Sequence, residues 1–181
     1  NGPHTLAARA RDGAGNTTLA VAVSVTVSNA APTGLVAAYA FNEGAGTAVA
    51  DASGNANNGT VSGTATWTTA GKFGGALRLD GTTALVTVPN STSLALTTGM
   101  PLEAWVMPAV APTSWATVLH KNVDRFYLFA GSDVGGRPAV GGTFGSGNQN
   151  TTGPSPLTVN AWTHLAGTFD GTTVRLYVNG V

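Results

Sequence analysis

Apolar residues in this chain fall at every second position in short runs, and tight-turn residues separate the runs. The closing segment, N-A-W-T-H-L-A-G-T-F-D-G-T-T-V-R-L-Y-V-N-G-V from Asn160 to Val181, reads as two strands joined at Asp170-Gly171, with a second turn signal at Asn179-Gly180. Asp-Gly and Asn-Gly supply the positive backbone φ that a type I′ hairpin turn needs. The second turn calls for a partner strand and only Val181 follows it, so the pattern predicts an antiparallel β fold lacking its C-terminal strands. Upstream, the alternation predicts strands over residues 35–41, 76–79, 84–88, 100–107, 116–121, 126–130, 139–144, 162–169 and 174–178. No long stretch carries a helical period, and glycines punctuate the chain densely. Many short strands with frequent turns predict a sandwich or jelly roll. No repeat of 20 to 50 residues is present, which argues against a solenoid or propeller.

The first thirty residues form a separate pattern. Leu6, Ala8 and Ala10 alternate with Arg9 and Arg11, Asp12-Gly13-Ala14-Gly15-Asn16 reads as a turn, and Val21, Val23, Val25 and Val27 share a face. The expectation is a hairpin with one apolar side. A lone hairpin is barely stable in water, so its partner strands are expected upstream. The Pro- and Gly-bearing stretch at 29–34 reads as a linker between residues 1–28 and a domain over 35–181.

Composition narrows the function classes. Hydrophobic residues make up 43% of the 181, ample for a core, while charged residues make up only 9%, against about 25% in ordinary globular domains. That balance, rich in Gly, Thr, Ala, Asn and Ser, fits an exported bacterial surface protein, the other reading being a low-charge cytosolic β protein. The formal net charge is zero, so no basic patch is available to capture nucleic acid or anionic lipid. Cysteine is absent, which excludes disulfides and thiolate chemistry. No segment approaches the roughly 20 apolar residues that span a bilayer.

Two resemblances add to this reading. G-P-H-T-L-A-A-R-A-R-D-G-A-G-N at 2–16 resembles the end of a bacterial immunoglobulin-like repeat. The rest resembles the laminin-G-like branch of the concanavalin A-like jelly rolls. The matching motifs are G-L-V-A-A-Y-A-F-N-E-G-A-G-T at 34–47, D-A-S-G-N-A-N-N-G-T at 51–60 and G-K-F-G-G-A-L-R-L-D-G at 71–81, followed by P-L-E-A-W-V-M-P at 101–108 and W-T-H-L-A-G-T-F-D-G-T-T-V-R-L-Y-V-N-G at 162–180. The implied fold is all-β: a two-sheet antiparallel jelly-roll sandwich, truncated at its C-terminus, preceded by a β-hairpin from a separate Ig-like sandwich.

The resemblance implies a structural Ca²⁺ near the loop at 51–59, with Asp51 and then Asn55 as ligands. A hard cation takes six to eight oxygens, and one carboxylate supplies few of them. The other reading of this loop is an Asx-turn, in which Asp51 and the asparagines bond the local backbone. Trp105 and Trp162 sit among apolar residues and read as core. Trp67 and Trp115 lie in polar surroundings. Trp115, near a loop tip, is the candidate for stacking on a sugar ring, and its other reading is a cover for the sandwich rim. His120, Lys121, Arg125 and Tyr127 surround the turn 122–124, as a polar group facing a glycan or as a solvated hairpin. Asn148 and Gln149 lie in a polar stretch, 145–150, that reads as a flexible loop, either bonding a glycan or doing nothing specific. His164 reads as structural.

The sequence carries no H-E-x-x-H, no G-x-S-x-G and no phosphate cradle. The two glutamates, Glu43 and Glu103, lack the E-x-D-x-x-E partners that the related retaining glucanases use. The chain is therefore expected to be non-catalytic. The leading expectation is a binding or adhesion module of a larger exported, extracellular or cell-surface protein, recognising a glycan or surface ligand. A structural spacer, or an accessory domain appended to a secreted hydrolase, is the alternative.

Overall fold

A computed structural model describes residues 2–27, 34–145 and 147–181. The chain divides into two compact units, Asn1–Leu35 and Val36–Val181. The stretch expected to be a linker, 29–34, lies outside the described residues except for Gly34.

The first unit is one long hairpin. Strands β1 (Gly2–Leu6) and β4 (Val23–Val27) pair antiparallel, as do β2 (Arg9–Arg11) and β3 (Thr17–Leu19). Asp12 builds the turn: one carboxylate oxygen accepts the N–H groups of Ala14 and Asn16, and the other accepts the Asn16 side-chain amide. Leu6 pairs with Val23, and both are 59% exposed. The apolar side that the alternation indicated is therefore real and largely uncovered within this unit.

The second unit is an antiparallel jelly-roll sandwich. Its minor strands are β5 (Ala48–Val49), β6 (Gly59–Ser62), β7 (Ala65–Thr68), β8 (Ala76–Leu79) and β9 (Leu85–Thr87). Its major strands are β10 (Met100–Val106), β11 (Ala116–Lys121), β12 (Phe126–Gly131), β13 (Ala139–Phe144), β14 (Gly147–Thr152), β15 (Thr163–Phe169) and β16 (Val174–Val178). They form a four-stranded sheet in the order β11-β12-β13-β14 and a three-stranded sheet in the order β10-β15-β16.

The core lies between these two sheets. Met100 and Leu102 of β10 and Leu165 and Phe169 of β15 meet Phe126 and Leu128 of β12 and Val140 and Phe144 of β13. Phe144 and Phe169 stack with ring centroids 3.8 Å apart. Val140 of one sheet packs directly on Gly167 of the other, where a Cβ would lie 2.2 Å from the Val140 Cγ2. Residues two apart share a face, so this inward set sends Glu103, Trp105 and His164 to one outer surface. It sends Tyr127, Phe129 and Ala139 to the other.

Three expectations are corrected here. Residues 35–41 were expected to form a strand, but none is assigned there. Loop side chains take the place of a strand partner: the Val36 carbonyl accepts Ser53 Oγ and Asn57 Nδ2, and the Ala38 N–H donates to Asp51. The stretch read as a polar loop is strand β14 from Gly147 onward, paired in register with β13. Trp105 was expected in the core but is 39% exposed on the outer face of β10. Its neighbours Ala104 and Val106 point inward, and a strand cannot bury both parities against one core.

Candidate functional site

The outer face of β11-β14 carries a continuous row of aromatic and amide groups. The register places His120, Tyr127, Gly141 and Asn150 side by side across the four strands, and Phe129 beside Ala139 and Thr152. With strands about 4.8 Å apart, this row is roughly 14 Å wide. Tyr127 lies across Gly141: a Cβ there would come within 2.6 Å of its hydroxyl. The absence of that Cβ lets the Tyr127 ring lie over the sheet, stacked on Phe129 at 4.7 Å. Phe129 in turn meets Trp115 edge-on at 5.3 Å and His120 face-on at 6.3 Å.

The ladder changes character along its length. Tyr127 and Phe129 are 5% and 7% exposed, whereas Trp115 is 51% exposed. The two buried rings are a support, and Trp115 is the ring face offered to solvent. Beside them, Asn148 Oδ1 accepts the Tyr127 hydroxyl at 3.3 Å and the Asn150 amide at 3.2 Å. Its own amide nitrogen has no protein partner among the described residues. Burial raises the Tyr127 pKa above its usual value, with the Asn148 hydrogen bond opposing and the Asp124 charge adding to the rise. The hydroxyl therefore stays protonated and able to donate. His120 Nε2 meets Asp124 Oδ1 at 2.9 Å.

Of the expected binding residues, the structure brings Trp115, His120, Tyr127 and Asn148 to this one surface. Lys121, next along β11, pairs with core residue Phe126, and its ammonium donates to Asn90 Oδ1. Arg125 is exposed at the end of the hairpin turn, where its backbone N–H bonds Lys121 and Asn122. Gln149 pairs with Gly142, whose missing Cβ would point at Phe144 and Phe126, so Gln149 belongs to the core side. Phe129 was not expected, and Asn150 was read only as part of the polar stretch 145–150. Each sits two residues from an expected neighbour, Tyr127 and Asn148, and the period of a strand identifies both.

The loop at 51–59 has different chemistry. Asp51 Oδ1 accepts the N–H groups of Ala38 and Ser53, and Oδ2 accepts Ser53 Oγ and the Asn57 N–H, all within 2.7–2.9 Å. Asn55 donates its amide to Ser53 Oγ and Val36 O. Asn57, 4% exposed, bonds Val36, Ser91 and Ser93. Burial pushes the Asp51 pKa up, but the hydrogen bonds from Ser53, Ala38 and Asn57 outweigh it, and the net shift is downward. Donors occupy both carboxylate oxygens, and no group of three His, Cys, Asp or Glu gathers anywhere among the described residues. Asp51 and Asn55 in this arrangement do not fit a calcium ion.

Besides Asp12 in the first unit, two aspartates of the second unit act on turns as Asp51 does on its loop. The Thr83 hydroxyl, followed by the N–H groups of residues 82–84, holds Asp80 well below the usual carboxylate range. The Arg175 guanidinium, followed by the Thr173 and Thr172 N–H groups, lowers Asp170 to about 2. Each folded pKa lies below the unfolded value of 3.8. The unfolded chain therefore binds protons first as pH falls, and stability is lost through the folded pKa values. Melting temperature is expected to be flat from pH 7 to about 5 and to fall between about pH 4 and 2. A circular-dichroism melt series checks this, and a constant melting temperature down to pH 2.5 would contradict it.

The outer face of the opposite sheet holds Trp105, with Phe73 edge-on at 5.6 Å, His164 at 5.1 Å and the Lys72 ammonium 4.6 Å above the ring. Glu103 lies 3.4 Å from His164. Both faces of the sandwich thus carry tryptophan, and Trp105 already meets a cation from its own chain while remaining 39% exposed.

A family model described as the concanavalin A-like lectin/glucanases superfamily matches residues 80–181, more than half of the chain. No curated protein matches. Among solved structures, the chain is similar to domain 4 of AbnA, a GH43 extracellular arabinanase from Geobacillus stearothermophilus, determined in complex with arabinotriose. The identity is 25% and the TM-score 0.56, over 73% of this chain and 66% of that one. The chain thus spans just under two thirds of that structure's length.

Proposed function

Since the chain belongs to the concanavalin A-like lectin/glucanases superfamily, we propose that it is a non-catalytic module that binds neutral glycans on the outer face of β11-β14. The observation that carries this reading is a half-exposed Trp115 packed edge-on against Phe129, which also meets Tyr127 and His120, on the sheet face that bears Asn148 and Asn150. An exposed indole face accepts the apolar face of a sugar ring, and neighbouring amide and imidazole groups bond its hydroxyls. The low charge of the chain matches an uncharged ligand. Arabinotriose in the similar arabinanase domain supports the same ligand class.

The carboxylates support the non-catalytic part. Glycoside hydrolysis works through two carboxyl groups flanking the scissile bond. Here Glu43 accepts the Ala50 N–H and Glu103 faces His164, on separate elements with separate partners. We place the module in an exported protein, outside the cell or at its surface, on the strength of its composition and of its extracellular relative. The first unit is read as the end of an Ig-like repeat in the same protein. A spacer role is the competing reading.

A glycan array with neutral and acidic glycans, run with and without calcium, tests this. Neutral glycans are expected to bind equally in both conditions. Binding of acidic glycans alone, or of none, would overturn the proposal.

A further inference from the structure

A second concavity opens in the jelly-roll unit, far along the chain from β11-β14. It is a cleft of about 310 Å³ walled by Phe41, Trp67, Thr68, Thr69, Gly74 and Gly75. Its walls are fixed by specific bonds. Phe41 has φ 53°, a left-handed conformation that strains a bulky residue. The surroundings impose it: Asn42 Oδ1 accepts the Gly75 N–H at 2.6 Å. A Cβ on Gly75 would lie 2.6 Å from the Phe41 carbonyl oxygen, and one on Gly74 would lie 2.9 Å from Asn42 Oδ1. Only glycine lets the two segments close on each other. Across the cleft, the Trp67 indole N–H donates to the Gly46 carbonyl at 2.9 Å, which fixes the plane of the ring. Two aromatic walls thus stand pre-organised, so a ligand has little ordering cost to meet.

The lining selects the ligand. No Asp, Glu, Lys, Arg or His borders the cleft, so a charged group entering it finds no countercharge. The hydrogen-bonding groups are neutral. Thr68 Oγ1 accepts the Ala70 N–H and keeps its hydroxyl proton to give, while the Thr69 hydroxyl and the Asn42 amide nitrogen have no partner among the described residues. A ligand with an apolar face and a hydroxyl-bearing rim meets these terms. The volume, at the small end of the roughly 300–1,000 Å³ range of ligand pockets, suits one ring rather than a chain.

We infer that the Phe41–Trp67 cleft is a second neutral-sugar site that shares no residue with the β11-β14 face. The inference rests on the glycan-binding reading proposed above. Its consequence is bivalency: a polysaccharide long enough to reach both sites is held more tightly than either site alone holds an oligosaccharide, with no additional contact.

The four tryptophan indole N–H signals separate the two sites in solution. Trp67 reports the cleft, Trp115 the sheet face, and Trp105 the opposite sheet. The ¹⁵N-labelled protein is titrated with arabinotriose, xylotriose and cellotriose, and with trigalacturonic acid as a charged control. At least one neutral trisaccharide is expected to move Trp67 and Trp115 along separate isotherms, and the acid is expected to leave Trp67 still. Thr69→Phe, an exposed position, fills the cleft and is expected to weaken the Trp67 isotherm at least tenfold without changing that of Trp115. Thr69→Val removes the hydroxyl without filling the space and is expected to weaken it a few-fold. Trp115→Ala is expected to leave the Trp67 isotherm intact. A static Trp67 beside a moving Trp115 overturns the second site and leaves the sheet-face reading standing. A moving Trp67 beside a static Trp115 does the reverse, and two static signals overturn both. Loss of the Trp67 shift in Trp115→Ala would show relay from a single site and overturn the inference.

Discussion

Trp115→Ala is expected to weaken binding of a neutral oligosaccharide about ten- to hundredfold, roughly 1.4–2.8 kcal/mol. The size follows from what is lost. Trp115 is half-exposed where Phe129 and Tyr127 are buried, so it supplies the stacking surface, and Phe129, itself stacked on Tyr127, supplies its support. Its removal uncovers the edge of Phe129 and is expected to cost only about 1 kcal/mol of stability, or about 2–4 °C in melting temperature. Titration calorimetry beside a thermal melt separates the two effects. Trp115→Phe is expected to recover part of the affinity. Phe129→Leu keeps the Trp115 surface but takes away the ring that orients it, and is expected to give an intermediate loss. Trp105→Ala, on the opposite sheet, is expected to bind as the wild type does. Equal losses for Trp105→Ala and Trp115→Ala would point to a general loosening of the sandwich and contradict the assignment of the face.

Asp51→Ala acts on the fold. Four donors, the N–H groups of Ala38, Ser53 and Asn57 and the Ser53 hydroxyl, lose their acceptor at once. Ser53 and Asn57 are 8% and 4% exposed, so water cannot replace the carboxylate freely. Hydrogen bonds to a charged group contribute about 1.5–3 kcal/mol each but do not add fully. With Asp51 itself only half-buried, the expected loss is about 2–4 kcal/mol, or roughly 5–15 °C in melting temperature. Asp51→Asn is expected to fare little better, because its amide would present hydrogens where two donors already point. The wild type is expected to melt at the same temperature in EDTA and in millimolar calcium. A large upward shift with calcium, abolished in Asp51→Ala, would show that this loop rearranges to hold the ion.

The strands of the second half were legible because their apolar positions alternate against one core. β11, β13 and β16 appear at the boundaries their alternation marked. The failures have physical causes. Strand β14 alternates asparagine with glutamine and threonine, so its two faces differ in direction but not in polarity, and the pattern carries no contrast to read. Residues 35–41 alternate like a strand, but their backbone is bonded by the side chains of the 51–57 loop, a pairing that propensity cannot foresee. Trp105 was misread through its bulk. Strand parity, with Met100, Leu102, Ala104 and Val106 facing inward, already placed it outside.

The candidate face was half legible. Trp115, Tyr127, His120 and Asn148 came from residue chemistry alone. The union of His120, Tyr127 and Asn148 on one surface required the registers of β11 with β12, β12 with β13 and β13 with β14, and that of Trp115 its ring contact with Phe129, none of which a local pattern encodes. The same register separates Lys121 and Gln149 from them, because adjacent residues in a strand point to opposite sides.

A crystal structure of the protein soaked with the neutral oligosaccharide that binds best on the array tests the glycan-binding face most directly. The expected result is a sugar ring lying on the Trp115 indole, with hydroxyls in hydrogen-bond reach of His120, Asn148 or Asn150. A sugar bound elsewhere on the molecule, with the β11-β14 face bare at saturating concentration, would contradict it.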